Sequence, residues 1–265
     1  MKLSIITVNL NNRDGLKKTI DSVICQTSKD FEWIIIDGGS TDGSVELIKK
    51  YAEFVIYWVS EPDNGIFNAM NKGIKKACGD YLLFLNSGDC LAENDIIDYL
   101  NNCTLNDDFI VGKTCSSKDS LPPIKQKDNY TTEETLERLS VSAFPHQATF
   151  VRRNVFQKYG LYREDKQLAS DWYLTICALI KGNSNVSYIP QIVSYIEPNG
   201  ISQRNQNQLF RERKDLLDEN PLFFILFDFY TSNKDIIKAL KSNCALFFLF
   251  RVTFFFYRKL FQKPI

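Results

Sequence analysis

The chain carries no net charge, with 32 Lys and Arg against 32 Asp and Glu over 265 residues. A molecule without a basic excess offers a polyanion no long-range attraction, which argues against a nucleic acid partner and leaves electrostatics to local clusters. Paired cysteines are also lacking. The seven present, Cys25, Cys78, Cys90, Cys103, Cys115, Cys177 and Cys244, are odd in number and scattered, with no CxxC pair. That pattern argues against a zinc site and a secreted disulfide framework, and favours reduced thiols in a cytosolic compartment. Histidine is reduced to one, His146. Long apolar runs are missing too: Cys244 to Tyr257 is too short to span a bilayer and contains Arg251. The apolar start, Met1 to Leu10, is broken by Asn9, Asn11, Asn12 and Arg13 before a signal-peptide core or cleavage site could form. There is no internal repeat and no low-complexity segment.

What is present is ample material for a core, at 44% hydrophobic residues. Strand and helix patterns alternate through the first half. Leu3 to Val8, Phe31 to Ile36, Val55 to Val59 and Tyr81 to Leu85 read as strands. Between them lie helical spacings at Leu16, Ile20, Val23 and Ile24, a helix from near Asp42, and another from Ile66 to Ala77. The βαβαβαβ order predicts an α/β fold with a parallel sheet, right-handed crossovers and helices on both faces. Beyond it, Asp108 to Gly112 reads as a strand and Cys115 to Asn129 as a surface loop. Helices are expected over Thr132 to Leu139, capped by Thr131 or Thr132, then before Gly160, and from Ser170-Asp171 to about Gly182. Ala148 to Val151 is a short strand, and Val186 to Ile189 and Ile192 to Ile196 are two more around Pro190.

Polar clusters close three of the strands: Asn9 to Asn12, Asp37 to Asp42, and Asn86 to Asp89. In a doubly wound sheet such loops gather along one edge, where ligands bind. Gly38 and Gly39 let backbone approach a ligand, and Asp37 can accept an N–H from a flat heterocycle. The run Leu82-Leu83-Phe84-Leu85-Asn86-Ser87-Gly88-Asp89 ends a buried strand in a small polar turn, and Asp89 there can bring a hard cation to a diphosphate. The same residues also suit an ordinary turn and helix caps, so the local reading leaves both roles open.

Taken together, Ser4 to Asn9 with Asn11, Ile36-Asp37-Gly38-Gly39-Ser40-Thr41-Asp42-Gly43-Ser44, Asn64-Gly65-Ile66 leading to Ala69-Met70-Asn71-Lys72-Gly73, and Leu85-Asn86-Ser87-Gly88-Asp89 resemble glycosyltransferase family 2. The resemblance covers about the first ninety residues and returns at His146-Gln147 and Ser170-Asp171-Trp172. It implies a GT-A fold, a Rossmann-like mostly parallel sheet flanked by helices, with a nucleotide-diphosphate sugar donor, Mg²⁺ or Mn²⁺, and inversion at the anomeric carbon. Carried over by residue, Asp37 would contact the base, while Thr7, Asn9, Asn11 and Gly39 would line the nucleotide pocket. Asp63, Asn64 and Asn71 would lie near the ribose and donor sugar. Asp89 stands at the end of the Asp-x-Asp metal motif, beside Ser87, with Asn86 and Gly88 where carboxylates are common. His146 would touch a phosphate or the metal, with Gln147 beside it, and Arg204 would neutralise the leaving charge.

Asp171 matches the family's catalytic base, which takes the acceptor hydroxyl's proton as that oxygen attacks the anomeric carbon. Ser170-Asp171 is equally what a plain helix start looks like. Trp172 reads as an anchor for that helix, and Arg211 and Arg213 as charges on a solvated one. The expected division is a catalytic domain over 1–203, with a nucleotide-sugar half at 1–114 and an acceptor-side half at 115–203, followed by a helical extension at 204–265. Between Lys234 and Lys263 that extension sets seven Lys or Arg against Asp235. It fits an amphipathic segment in the lipid interface, or a helix packed on the catalytic domain or a second subunit.

The resemblance thus implies a UDP- or GDP-sugar-dependent inverting glycosyltransferase acting on a glycan acceptor, lipid-linked, in capsule, O-antigen or exopolysaccharide assembly. It would be cytoplasmic and peripheral on the inner face of the membrane. A homo-oligomer is compatible with the sequence, which does not fix the oligomeric state. A degenerate nucleotide-sugar-binding scaffold of a synthase complex is the alternative. A sugar nucleotidyltransferase is disfavoured, because Asn-rich sequence stands where its glycine-rich phosphate loop would follow the first strand.

Overall fold

Runs of β-branched residues set the centre of the molecule. Ile34, Ile35 and Ile36 are all fully buried, as a strand covered on both faces requires. The computed structural model describes residues 2–103, 106–116, 130, 132–182, 184–197 and 200–219. In chain order its elements are β1 (Leu3–Asn9), α1 (Arg13–Ile24), β2 (Phe31–Asp37), α2 (Ser44–Lys50), β3 (Tyr57–Ser60), α3 (Ile66–Lys76), β4 (Tyr81–Phe84), β5 (Cys90–Leu91) and α4 (Ile96–Asn102). There follow β6 (Phe109–Cys115), α5 (Thr132–Val141), β7 (Thr149–Arg152), α6 (Arg153–Tyr159), α7 (Ser170–Gly182), β8 (Val186–Tyr195), α8 (Ile201–Arg204) and α9 (Gln206–Asp218).

Eight strands form one sheet in the order β3-β2-β1-β4-β7-β6-β8-β5. The first four run parallel, as the βαβ alternation predicts. The other half is mixed: β7 is antiparallel to both β4 and β6, β8 is parallel to β6, and β5 is antiparallel to β8. The two strands expected around Pro190 are one continuous β8, whose pairing with β6 shifts register between Val111 and Lys113 and again before Thr114. β5 and α4 were not expected. The sheet draws strands from both expected halves of the 1–203 segment.

Alternation along β1 and β2 sends Leu3, Ile5, Trp33 and Ile35 to one face, against Leu16, Ile20 and Val23 of α1, Leu47 and Ile48 of α2, and Ile97 and Leu100 of α4. Ile6, Val8, Ile34 and Ile36 face the other way, onto Phe67, Met70 and Ile74 of α3, Phe156 of α6, and Leu174 and Ala178 of α7. Each such fully buried side chain contributes about 2 kcal/mol. A third cluster joins α5, α7 and α9 through Leu136, Leu139, Trp172, Ile176 and Leu217. The first part of the expected 204–265 extension is therefore packed on α7. The aromatic and basic segment beyond residue 219, the loop at 117–129, Thr131 and the side chain of Thr132 lie outside what is described. Among the described residues no helix is long and apolar enough to cross a membrane.

The lower end of the sheet is closed by a buried carboxylate. Glu32 accepts the backbone N–H groups of Gly79, at 2.8 Å, and Cys78 together with the Ser4 hydroxyl, and Gly79 N also donates to Ser4 Oγ at 2.9 Å. A Cβ on Gly79 would stand 2.5 Å from Ser4 Oγ and 2.8 Å from Ser4 N, and backbone cannot step aside. Gly79→Ala is expected to destabilise by about 2 kcal/mol, read as a lower thermal midpoint; an unchanged midpoint would refute this packing.

Candidate functional site

The register of the parallel strands builds the upper edge. Asn9 pairs with Asp37 across β1 and β2, and Asp37 with Ser60 across β2 and β3, so three polar side chains end adjacent strands in line. Asp37 is fully buried. Its Oδ1 accepts Asn9 Nδ2 at 2.7 Å and Ser40 Oγ at 2.6 Å. Its Oδ2 accepts Ser60 Oγ at 2.6 Å, Ser40 N at 2.8 Å and Gly39 N at 3.2 Å. Burial alone would raise the pKa of this carboxyl, but the Ser40, Ser60 and Asn9 hydrogen bonds outweigh it and hold the group below its usual range. Asp37 thus shapes the loop; to meet a nucleobase, as the resemblance implies, it would have to release one of these donors.

Two further expectations change in the same way. Thr7 is buried on the α1 face of the sheet, where its hydroxyl accepts Trp33 Nε1 at 3.0 Å, so it does not reach the edge. Asn71 is buried in α3, and its amide is spent on Tyr162 N and O at 3.0 and 2.8 Å and on Glu164 Oε1 at 2.8 Å. It clamps the segment before α7 and presents no free face to a donor. Asn9 and Asn11 do gather at the edge. Asn9 Oδ1 is buried without a hydrogen-bond partner. Asn11, at φ 48°, ties the first loop to the second through Ser40 Oγ at 2.8 Å and Thr41 N at 2.9 Å. Asp63 lies against the second loop, since a Cβ on Gly38 would sit 2.6 Å from its Oδ2. Asn64 is exposed beside it.

The third loop is held from below. After β4, Leu85 N and Ser87 N donate to Ile6 and Val8 carbonyls, keeping the turn against β1. Asn12 Nδ2 reaches Ser87 O at 3.1 Å, joining the first loop to the third. Thr19, fully buried in α1, donates to Asp89 O at 2.7 Å and accepts Gly88 N at 3.0 Å. Gly88 takes φ 105°, a conformation that strains any side chain, and a Cβ there would press Glu197 Oε2 at 3.1 Å. Asp89 is 8% exposed. Its carboxyl accepts the Gln147 amide and, at 3.4 Å, Glu197 N. Burial, with the Glu197 charge adding to it, pushes its pKa up to about 6 against those bonds.

His146 connects this turn to α7. It opens a short helical turn before β7, and its Nε2 lies 3.0 Å from Asn86 Nδ2. With the Asn86 amide donating, Nε2 is the accepting nitrogen and the proton sits on Nδ1, 3.9 Å from Asp171 Oδ2. Burial among Phe84, Phe144 and Tyr162 lowers the imidazole pKa to about 4, so it is neutral at pH 7. The same burial raises Asp171 to about 6, opposed by the Trp172 N–H and the Arg213 charge. Trp172 anchors α7, donating Nε1–H to Leu139 O at 2.6 Å. Arg204 is exposed on α8, and no described hydrogen bond or ion pair engages its side chain.

Among the described residues no three His, Cys, Asp or Glu side chains cluster tightly enough to cage an ion by themselves. The turn nevertheless suits a hard divalent cation sharing its coordination with a diphosphate. Asp89 is a buried anion with a second carboxylate, Glu197, beside it, and Asn86 Oδ1 is a buried oxygen without a partner. Thr19, Ser60 and Glu197 escaped the sequence reading. Thr19 had a signal, as a hydroxyl on the apolar stripe of Leu16, Ile20 and Val23, and Ser60 ends its strand as Asn9 and Asp37 end theirs.

The sequence model of the family described as Glycosyl transferase family 2 matches residues 4–160. A PGL/p-HBAD biosynthesis glycosyltransferase of Mycobacterium bovis is 30% identical over 219 residues, covering 79% of this chain and 82% of that protein. An uncharacterized glycosyltransferase of Mycobacterium tuberculosis is 43% identical over 96 residues, 36% of this chain and only 37% of that protein's length. Among solved structures, S. aureus TarS in complex with UDP-GlcNAc superposes with TM-score 0.64 at 17% identity, over 83% of this chain and 66% of that one. The mannosyltransferase PcManGT from Pyrobaculum calidifontis, in complex with GDP-Man and Mn2+, gives TM-score 0.57 at 14% identity over 95% of this chain and 79% of that one. These likenesses confirm the expected GT-A fold.

The Thr19 hydroxyl is the support of the third loop that can be removed without changing shape. Thr19→Val leaves Gly88 N and Asp89 O without their buried partner, an expected cost of about 1–3 kcal/mol. The midpoint should fall and Asp89-loop amides should exchange faster with solvent; protection equal to wild type would show the hydroxyl to be idle.

Proposed function

Since the chain belongs to glycosyltransferase family 2, we propose that it moves a sugar from a UDP- or GDP-linked donor to a hydroxyl of a glycan acceptor, with inversion at the anomeric carbon. The observation that carries this reading is the chain Asn86–His146–Asp171, with Gln147 on Asp89. Two consecutive residues of one turn engage both acidic positions that the transfer needs.

In the reaction, Asp171 takes the proton of the acceptor hydroxyl. That oxygen forms its bond to the anomeric carbon while the bond from that carbon to the diphosphate oxygen breaks on the opposite face, releasing UDP or GDP. A pKa of about 6 leaves Asp171 ionised at pH 7 yet more basic than an ordinary aspartate. His146, neutral, orients toward Asp171 through Nδ1–H and holds Asn86 through Nε2. Asp89, with Asn86 and Glu197 at hand, would hold Mg²⁺ or Mn²⁺. When bound, the cation bears part of the diphosphate charge. The loops at Asn9 to Asn11, Asp37 to Ser40 and Asp63-Asn64 frame the nucleotide. Arg204 is placed on the donor side by the resemblance alone.

The acceptor is read as a lipid-linked glycan of the cell surface, with the enzyme peripheral on the inner face of the membrane. The basic and aromatic composition between Lys234 and Lys263 supports this, as does likeness to relatives named for PGL/p-HBAD biosynthesis. The catalytic domain is taken as 1–203.

Donor choice is tested by thermal shift across UDP- and GDP-sugars with and without Mn²⁺, followed by turnover of Asp171→Asn. The variant should bind donor as wild type does and lose at least about 10²-fold in kcat; wild-type turnover would overturn the reading. The wild-type rate should fall on the acid side with an apparent pKa near 6. Stability follows with a worked sign. Between pH 4 and 6 the folded chain keeps a proton on Asp171 that the unfolded chain releases, so stability falls as pH rises, by about 3 kcal/mol in all. Asp171→Asn removes that loss and should be the more stable protein at pH 8, inactive though it is.

A further inference from the structure

Asp171 is the second residue of α7, and the backbone that leads into this helix is held by a carboxylate from another helix. Glu212 of α9 is 8% exposed. Its Oε2 accepts three successive N–H groups, Leu168 at 2.8 Å, Gln167 at 3.1 Å and Ala169 at 3.2 Å. Its Oε1 accepts Gln167 N at 3.1 Å and Gln208 Nε2 at 3.0 Å. We infer that Glu212 is a positioning residue for the transfer: it fixes the 167–169 approach and thereby places the Asp171 carboxylate. The inference rests on the reading of Asp171 as the base.

Three points separate this from ordinary capping. A helix start is normally satisfied by a short side chain of its own loop, Ser, Thr, Asp or Asn, which makes the cap independent of the rest of the fold. Here the acceptor comes from α9, so the path into α7 follows wherever α9 docks. Secondly, the next residue of α9 acts on Asp171 from beside Trp172. Arg213 stacks its guanidinium carbon 4.9 Å from the centre of the Trp172 ring and lends its charge to Asp171. Adjacent residues of one helix therefore bear on the start of α7, Glu212 through the 167–169 backbone and Arg213 through the Trp172 ring and its charge. Thirdly, α9 is seated by Leu216 and Leu217, both buried, so the clamp has a rigid base. A displacement of about 1 Å at a reacting group is enough to cost on the order of 10²-fold in rate. A carboxylate taking four N–H bonds in a buried place has the stiffness to prevent it.

The test uses the full chain with the donor that the thermal-shift panel selects, following release of UDP or GDP, and hydrogen exchange at 167–172. Glu212→Ala is expected to lower kcat by roughly 10- to 100-fold with donor KM within about twofold, and to speed exchange at 167–169. Glu212→Gln, which keeps one acceptor oxygen for Leu168, should recover most of the rate; it also decides the matter alone if Glu212→Ala does not fold, through a smaller kcat loss at unchanged KM. Exchange that quickens while kcat stays at the wild-type level overturns the inference, as does a KM that rises in step with the fall in kcat. Turnover lost in Asp171→Asn but intact in Glu212→Ala overturns this inference and spares the base. Turnover surviving in Asp171→Asn overturns both.

Discussion

A neutral imidazole lies between the two halves of the upper edge. His146 can accept the Asn86 amide and turn an N–H toward Asp171 only in its uncharged form, because a protonated ring has two donors and would meet the Asn86 amide donor to donor. Burial beside Phe84 and Phe144 enforces that form far below neutral pH. The contact matters because Asn86 belongs to the turn after β4 while Asp171 belongs to α7, eighty-odd residues on and bound to other neighbours. The ring hydrogen-bonds Asn86 and lies within 3.9 Å of the Asp171 carboxylate, so it fills the space between the turn that carries Asp89 and the start of α7.

The rest of the edge is an accumulation of negative charge in a place poor in cations. Asp37 is settled by five protein donors, and its pKa falls. Asp89 and Asp171 are not so settled, and theirs rise. Arg213 answers Asp171 in part, whereas Asp89 has Glu197 for a neighbour, itself paired with Lys18 at 3.2 Å. A donor diphosphate brings still more negative charge to this turn. The imbalance is the physical case for a divalent cation here, and it is stronger than the count of acidic residues in the motif suggests.

The parallel half of the sheet was legible because its strands are buried on both faces and announce themselves as apolar runs bounded by polar turns. The gathering of Asn9, Asp37, Asp63, Asn86 and Asp89 along one edge follows from that topology. What each side chain does there was less legible. Thr7 lies one pleat below Asn9 and faces Trp33 rather than the edge, and Asn71 is turned inward by the Tyr162 segment. Both carry motif positions whose side chains the fold uses for itself. β5, a two-residue strand, has no periodicity to find, and the single β8 was divided because Pro190 reads as a break. Glu212 was the least legible of all. Among Arg211, Arg213, Lys214 and Asp215 it looks like one more charge on a solvated helix, and only the docking of α9 buries it.

The choice of residues at the join is also the thermodynamically mild one. Asp89 and Asp171, each raised to about 6, cost the folded state about 3 kcal/mol apiece at neutral pH. A histidine lowered to about 4 costs almost nothing there, because the unfolded chain's imidazole is already mostly neutral at pH 7. Its penalty appears only as pH falls below the ordinary histidine pKa, where the two carboxyls are gaining protons and ceasing to destabilise. The opposed slopes partly cancel across the acid range. A lysine in the same apolar wall would have to give up its charge at every physiological pH, and a glutamine would bridge without a ring to fill the space beside Phe84 and Tyr162. The lone histidine of the chain therefore sits where a polar group meets Asn86 on one side and faces Asp171 on the other, and where an aromatic ring completes the wall.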